Sequence, residues 1–165
     1  MRVLGIDTAL RSTGVGVVES QAGRLRVVEC GRIHTPARRP LSECLRRLQG
    51  GLDEILGRAG PEAVAIEGIF FCKNVRTAVV LGEARGAAIA ACARAGLPIF
   101  EYSPRRIKQA VVGFGGADKR QVRRMVMTLL GLTEEPQEDA GDALAIAICH
   151  LQQRVLDAAL APRPI

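Results

Sequence analysis

The chain has 165 residues, of which 48% are hydrophobic and 24% charged, which fits one globular domain with a sizeable core and argues against a disordered or fibrous protein. The net charge of +6 favours an anionic partner, with nucleic acid as the first candidate. No apolar run is long enough to span a bilayer, no secretory signal is recognisable, and the five cysteines form no C-x-x-C pair, so we expect a reduced, cytoplasmic protein.

The first predicted elements are two strands joined as a hairpin. Residues 3–6 form an apolar run that ends at Asp7, and a second run covers residues 15–18. A strand that is apolar on both faces is usually a central strand covered by helices on both sides. Asp7 is therefore expected at the mouth of a central strand, where a partly desolvated carboxylate needs a backbone N–H, a cation or a metal ion. Capping of its own turn is an equally good interpretation of Asp7 alone.

The next segments predict a crossover connection. Residues 24–33 read as a third antiparallel strand at or near an edge, and residues 41–58 as an amphipathic helix packed on the sheet. Residues 62–67 form a short apolar strand, which a crossover would place parallel to the first strand. Its last residue, Glu67, would then lie on the same rim as Asp7.

Residues 75–95 predict a long helix of small residues that contains Gly82 and Gly86. Glycine costs helix propensity, so these two positions suggest close approach to another backbone, either the sheet below or a second subunit. A short fifth strand over residues 97–101 follows.

Three helices complete the predicted secondary structure. Pro104 begins the first, residues 118–130 form the second after a glycine-rich turn, and the last runs from about Asp139 to Leu160.

The last helix adds two more carboxylates. Asp139 and Asp142 are three residues apart and share a helix face, where most such pairs only cap the helix. Asp142, however, lies in a segment that is apolar almost all round, so its carboxylate is expected to face protein and to need a cation. Together with Asp7 and Glu67 these oxygen ligands suit Mg²⁺ or Mn²⁺, and two such ions would form the clamp used in phosphodiester hydrolysis.

Basic residues cluster between positions 73 and 124. Each alone is most simply a solvated surface charge, but their concentration suggests a nucleic-acid face with phosphate contacts. They are Lys73, Arg76, Arg105, Arg106, Lys108, Lys119, Arg120, Arg123 and Arg124.

Several segments in the correct order resemble the RuvC family of bacterial Holliday junction resolvases over nearly the whole chain. They are Gly5-Ile6-Asp7, Ala65-Ile66-Glu67 with Phe70-Phe71 and Lys73-Asn74, residues 81–86, residues 107–113, residues 117–119, and residues 139–147. The resemblance implies an α/β, RNase H-like fold with a five-stranded mixed sheet flanked by helices. It also implies one nuclease domain over residues 1–160, with a tail at 161–165.

The resemblance further implies a function and its residues. The expected activity is resolution of four-way DNA junctions by paired symmetric nicks, performed by a homodimer that could meet a RuvA–RuvB branch-migration complex. Asp7, Glu67, Asp139 and Asp142 match the metal-binding carboxylates, with Lys108 and Lys119 as catalytic residues near the scissile phosphate. The expected DNA contacts are Phe70, Lys73, Asn74, Arg76, Arg105, Lys108, Lys119, Arg120 and Arg123. Core packing is the alternative for Phe70.

The sequence departs from the family pattern at two places. Thr8-Ala9 follow the first aspartate, where Pro-Gly is common, and Gly68 occupies a position where Gln or Glu is usual. The first alternative function is an RNase H-type enzyme that cuts hybrids. A kinase-like phosphate-binding hairpin is disfavoured because the chain is too short for two lobes, and a junction-binding module without catalysis is disfavoured because all four carboxylates are present.

Overall fold

The computed structural model of the protein describes residues 1–69, 74–156 and 163–165, with the backbone alone for residues 154–156. Five strands and five helices occur in the described ranges. In chain order they are β1 (Arg2–Asp7), β2 (Ser12–Gln21), β3 (Arg24–His34), α1 (Leu41–Ala59), β4 (Ala63–Glu67), α2 (Val75–Arg94), β5 (Ile99–Tyr102), α3 (Pro104–Val112), α4 (Lys119–Leu130) and α5 (Glu138–Leu156).

The strands form one mixed sheet in the order β3-β2-β1-β4-β5. β1 pairs antiparallel with β2 and parallel with β4, and β3 forms one edge. The predicted hairpin, edge strand and crossover are therefore confirmed. Because β1 and β4 are parallel and Ile6 aligns with Ile66, the next residues, Asp7 and Glu67, end the two strands side by side.

The two faces of the sheet are covered by different helices. Leu4 and Ile6 pack in a core with residues of α1 and α2, whereas Val3 packs in a core with residues of α3, α4 and α5. Side chains alternate along a strand, so Asp7 belongs to the α5 side with Val3. On β4 the same alternation places Glu67 on the side of Ala65, which packs in the α5 core.

Helix α5 lies directly on the two central strands at three glycines. A Cβ atom added to Gly5 would lie 2.0 Å from the carbonyl oxygen of Ala143, and one added to Gly14 would lie 1.9 Å from that of Asp139. At Gly16 a Cβ would meet the Leu144 side chain at 2.9 Å. We call Gly5, Gly14 and Gly16 the glycine patch, because only residues without a side chain admit the helix at this distance.

The expectation that Gly82 and Gly86 approach the sheet is wrong. A Cβ at either position would have no atom within 4 Å, so both glycines face open space on α2. The small residues that do contact the α1/α2 core are Ala84, Ala88 and Ala91 on the opposite side of the helix. The alternative, a second subunit, stays a prediction. None of the helices in the described ranges is long and apolar enough to cross a membrane.

Candidate active site

Carboxylates from three elements meet at one rim of the sheet. Asp7 ends β1, Glu67 ends β4, and Asp139 and Asp142 lie in the first turns of α5. The glycine patch makes this possible, since it lets the start of α5 lie directly over the ends of β1 and β2. The predicted grouping of Asp7 and Glu67 on one rim is thus realised, and α5 brings its two aspartates to the same place.

The rim opens into a cleft of about 330 Å³ between the sheet, α3, α4 and α5. Three carboxylates and two lysines line it, together with apolar side chains on its floor. The charged lining residues are Asp7, Glu67, Asp142, Lys108 and Lys119, and the apolar ones are Pro104, Ile107, Val122, Ala145 and Ile146.

The electrostatics of the cleft favour a bound cation. Burial raises the pKa of Asp7 from 3.8 to about 7, and the negative charges of Asp142, Glu67 and Asp139 add to the effect. Burial also raises the pKa of Glu67, followed by the charge of Asp142, while Lys119 and Lys108 act in the opposite direction. An ionised carboxylate in such surroundings requires a positive partner, which a divalent cation can supply.

Asp139 lies at the same rim, since its charge acts on Asp7, but it is not among the residues that line the cleft. Its carboxylate accepts a hydrogen bond from the hydroxyl of Ser12, the first residue of β2. Strand alternation explains this contact, because Ser12 has the same parity as Gly14 and so faces α5. The two aspartates of α5 thus have different partners: Asp142 lines the cleft, and Asp139 contacts the start of β2.

Lys119 forms the positive side of the cleft. It is the first residue of α4, whose start is fixed by a reciprocal capping box between Asp118 and Gln121. Its Nζ lies 2.9 Å from Glu138 Oε1 and 3.4 Å from Asp142 Oδ2. The hydrogen bond to Glu138 is the main reason why the pKa of Lys119 is raised. Lys119 thus pairs with Asp142, one of the carboxylates expected to bind metal.

The donor set fits Mg²⁺ or Mn²⁺, because all four candidate ligands are carboxylate oxygens of the kind that these hard cations prefer. Their present arrangement is not yet a closed site. Within the part of the chain that the structure describes, no three Asp, Glu, His or Cys side chains already surround one point as metal ligands.

The remaining expected DNA contacts are distributed unevenly. Phe70 and Lys73 lie outside the described residues.

The other expected contacts lie within the described residues. Asn74 caps α2, since its side-chain oxygen accepts a hydrogen bond from Thr77 N at 2.9 Å. Arg123 Nη1 is paired with Glu135 at 2.6 Å. Three others are exposed on α2, α3 and α4, namely Arg76, Arg105 and Arg120. Their contact with DNA stays a prediction.

Sequence reasoning missed the residues that hold the site together. Gly14, Gly16 and Ser12 position α5 and Asp139, and a signal for them exists. Two glycines alternate along β2, and α5 begins with small residues at positions 140, 141 and 143. Thr13 also closes the β1–β2 turn, as its hydroxyl donates to Ala9 O and accepts from Ala9 N. These two hydrogen bonds stabilise the turn in which Thr8-Ala9 replace the Pro-Gly of the family pattern.

Comparison with known proteins adds the family. The family model described as "Crossover junction endodeoxyribonuclease RuvC" matches residues 3–150. A protein of that name from Chloroflexus aggregans is 52% identical over 151 residues, covering 91% of this chain and 92% of the relative. Another, from Geotalea uraniireducens, is 49% identical over 160 residues, covering 97% of this chain and 94% of the relative.

A solved structure agrees with the sequence relatives. "T. thermophilus RuvC in complex with Holliday junction substrate" superposes with a TM-score of 0.92 at 36% identity, covering 100% of this chain and 99% of that chain. The expected RNase H-like fold is thereby confirmed. On the family match, the relatives and the fold, the chain belongs to the RuvC family of crossover junction endodeoxyribonucleases.

Proposed function

We propose that this endonuclease resolves four-way DNA junctions by metal-assisted hydrolysis in the cleft between β1, β4, α4 and α5. The observation that carries the proposal is the meeting of four carboxylates with a raised Asp7 pKa of about 7. Such a cluster is costly without a cation and becomes favourable with one. Asp7, Glu67, Asp139 and Asp142 are the proposed ligands of Mg²⁺ or Mn²⁺, with two ions for each site.

Bound divalent cations would activate water and neutralise charge on the scissile phosphate. The protein side chains bind and orient the DNA. Lys108 lines the cleft, where it can contact a DNA phosphate near the scissile bond. Lys119 now lies at the carboxylates, and a phosphate oxygen can replace Asp142 as its partner. That exchange frees Asp142 and couples DNA entry to completion of the carboxylate site.

Paired nicks require two active sites, and α2 offers a surface for a homodimer. Val75 is 79% exposed and Val79 54% exposed, and Gly82 and Gly86 continue the same helix face. Spacings of four, three and four residues form the apolar stripe that packs one helix against another. A twofold axis through this stripe would relate two identical clefts, as symmetric cutting of a junction requires.

The first test is cleavage of a labelled synthetic four-way junction by wild-type protein and by Asp7→Asn. With Mg²⁺ or Mn²⁺ we expect paired symmetric nicks in the junction and none in a linear duplex. Asp7→Asn should keep junction affinity and reduce cleavage by about 100-fold or more, because it removes a proposed ligand of the metal site.

Asp53→Asn is the matched control. Asp53 lies on the surface of α1 and pairs with Arg94 at 2.7 Å, away from the cleft, so this variant should cut normally. An RNA–DNA hybrid substrate tests the RNase H-type alternative. Preferential cutting of the hybrid, junction cutting in chelator, or an active Asp7→Asn variant would each contradict the proposal.

A further inference from the structure

The turn over residues 113–116, between α3 and α4, exposes an aromatic ring. Phe114 is 65% exposed, whereas Phe100 is half-buried and Tyr102 is buried. The chain has only four phenylalanines, one tyrosine and no tryptophan. A ring this exposed contributes little to the core, so packing does not explain its presence.

The turn is built to hold this ring in place. The Gln109 side chain braces it from both directions, because its Nε2 donates to Gly113 O at 2.7 Å and its Oε1 accepts from Gly115 N at 3.0 Å. A Cβ added to Gly116 would lie 2.7 Å from Cζ of Phe114, so the ring rests against the backbone of Gly116. One part of the ring is thus supported by the turn, and the rest is open to solvent.

Basic side chains lie along the same turn and on the helices that it joins. The Arg105 side chain runs along the turn, since a Cβ added to Gly115 would lie 2.7 Å from Arg105 Cγ. The turn also joins the two helices that carry Lys108 and Lys119 into the cleft. A fixed aromatic surface beside exposed cations is the arrangement that binds single-stranded nucleic acid, with bases on the ring and phosphates on the cations.

We propose that Phe114 is a stacking surface for an unpaired base of the junction. This inference rests on the proposed function, and it concerns a different residue from Phe70. Bases in a continuous duplex have no free face, whereas bases at an opened crossover do. Phe114 would therefore help to distinguish a junction from linear DNA, with Arg105 contacting the adjacent phosphate.

The absence of tryptophan from the chain allows a direct test. Phe114→Trp introduces a single tryptophan, and its emission is followed while a four-way junction is added in chelator. Stacking on a base should quench this emission with the junction and leave it nearly unchanged with a linear duplex. Ile165→Trp is the control, because Ile165 is 59% exposed and its N–H bonds to Ile99 O, at the end of β5 farthest from the cleft. Its emission should not respond.

Affinity measurements complete the test. Phe114→Ala should weaken junction binding about tenfold, leave duplex binding unchanged and keep the melting temperature, while Phe114→Tyr should bind as the wild type does. Equal losses of affinity for junction and duplex, or quenching by both DNAs, would overturn the proposal. Unaltered junction binding by Phe114→Ala would also overturn it and would favour contact of the exposed ring with a protein instead. Binding in chelator does not depend on catalysis. If wild-type protein failed to cut the junction and Phe114→Ala still weakened binding, the proposed function would fail and this inference would stand.

Discussion

Regularly spaced glycines occur at two helices of this molecule, α5 and α2, but their surroundings differ. At α5, the glycines lie on the strands below and the helix contacts them through its backbone, with a Cβ on Gly14 only 1.9 Å from Asp139 O. At α2, the glycines lie on the helix itself and face open space. Glycine at regular spacing therefore does not show by itself that another backbone approaches, because the contact exists at α5 and not at α2 within one chain.

The difference has functional consequences. The contact of α5 with the sheet fixes the position of Asp142 relative to the strand-end carboxylates, so it determines the geometry of the candidate active site. The open face at Gly82 and Gly86 contacts no other part of the chain in the ranges that the structure describes, and its proposed role is to relate two active sites in a dimer. One contact would thus build the catalytic site, and the other would set its position relative to a second site.

Among the glycine substitutions, Gly14→Ala should produce the largest loss of stability, because the new Cβ would overlap the backbone oxygen of Asp139. We expect a loss of about 3 kcal/mol in the free energy of unfolding, measured by urea denaturation. A displacement of α5 by about 1 Å would also reduce junction cleavage by about 100-fold.

Gly31→Ala is the matched control for this prediction. Gly31 lies on the adjacent strand β3, and a Cβ there would meet no atom within 4 Å. Its free energy of unfolding should stay within about 0.5 kcal/mol of the wild type or rise slightly. If Gly14→Ala were as stable and active as Gly31→Ala, close approach at the glycine patch could not be what positions α5.

The carboxylates brought together by α5 predict an unusual dependence of stability on pH. The pKa of Asp7 is about 7 in the folded protein and 3.8 in its ordinary range. Between these values the folded state binds more protons than the unfolded state, so the contribution of Asp7 is full below about pH 4 and is lost as pH rises through about 7. Metal-free protein should therefore become less stable between about pH 5 and pH 8.

Urea denaturation in chelator across this pH range tests the prediction. Asp7→Asn should remove most of the decline, which is on the order of a few kcal/mol because one pKa unit corresponds to about 1.4 kcal/mol. Glu67, whose pKa is also raised, should leave a decline of the same sign. Mg²⁺ should restore wild-type stability more at the alkaline end, where its ligands are ionised. Equal pH dependence of the two proteins would contradict the assignment to Asp7.

The sequence was sufficient to predict the central strands and the rim of the sheet at which Asp7 and Glu67 lie. Hydrophobic runs located β1, β2 and β4, and the crossover rule then placed Glu67 beside Asp7 without any knowledge of side-chain packing. The same reasoning could not locate the contacts of Asp139 and Asp142. Helical spacing gave them a common face, but their partners, Ser12 and Lys119, come from distant parts of the chain.

The α2 glycines give the smallest expected effect and the sharpest test of the comparison. Gly86→Ala should stabilise the isolated chain by up to about 1 kcal/mol, because alanine favours a helix and nothing blocks its methyl group. If a second α2 packs on this face, the same methyl group should weaken dimerisation about tenfold, as overpacking costs about 1–3 kcal/mol. Sedimentation equilibrium measures that change.

Gly50→Ala separates the two effects of Gly86→Ala. Gly50 lies within α1 and faces open space, so alanine there should give the same gain in helix stability without a change in association. A dimer weakened by Gly86→Ala alone would locate the subunit contact on α2, because only the position of the methyl group differs between the variants. Equal dimerisation of both variants would remove α2 from the interface and leave Gly82 and Gly86 without a structural role in this fold.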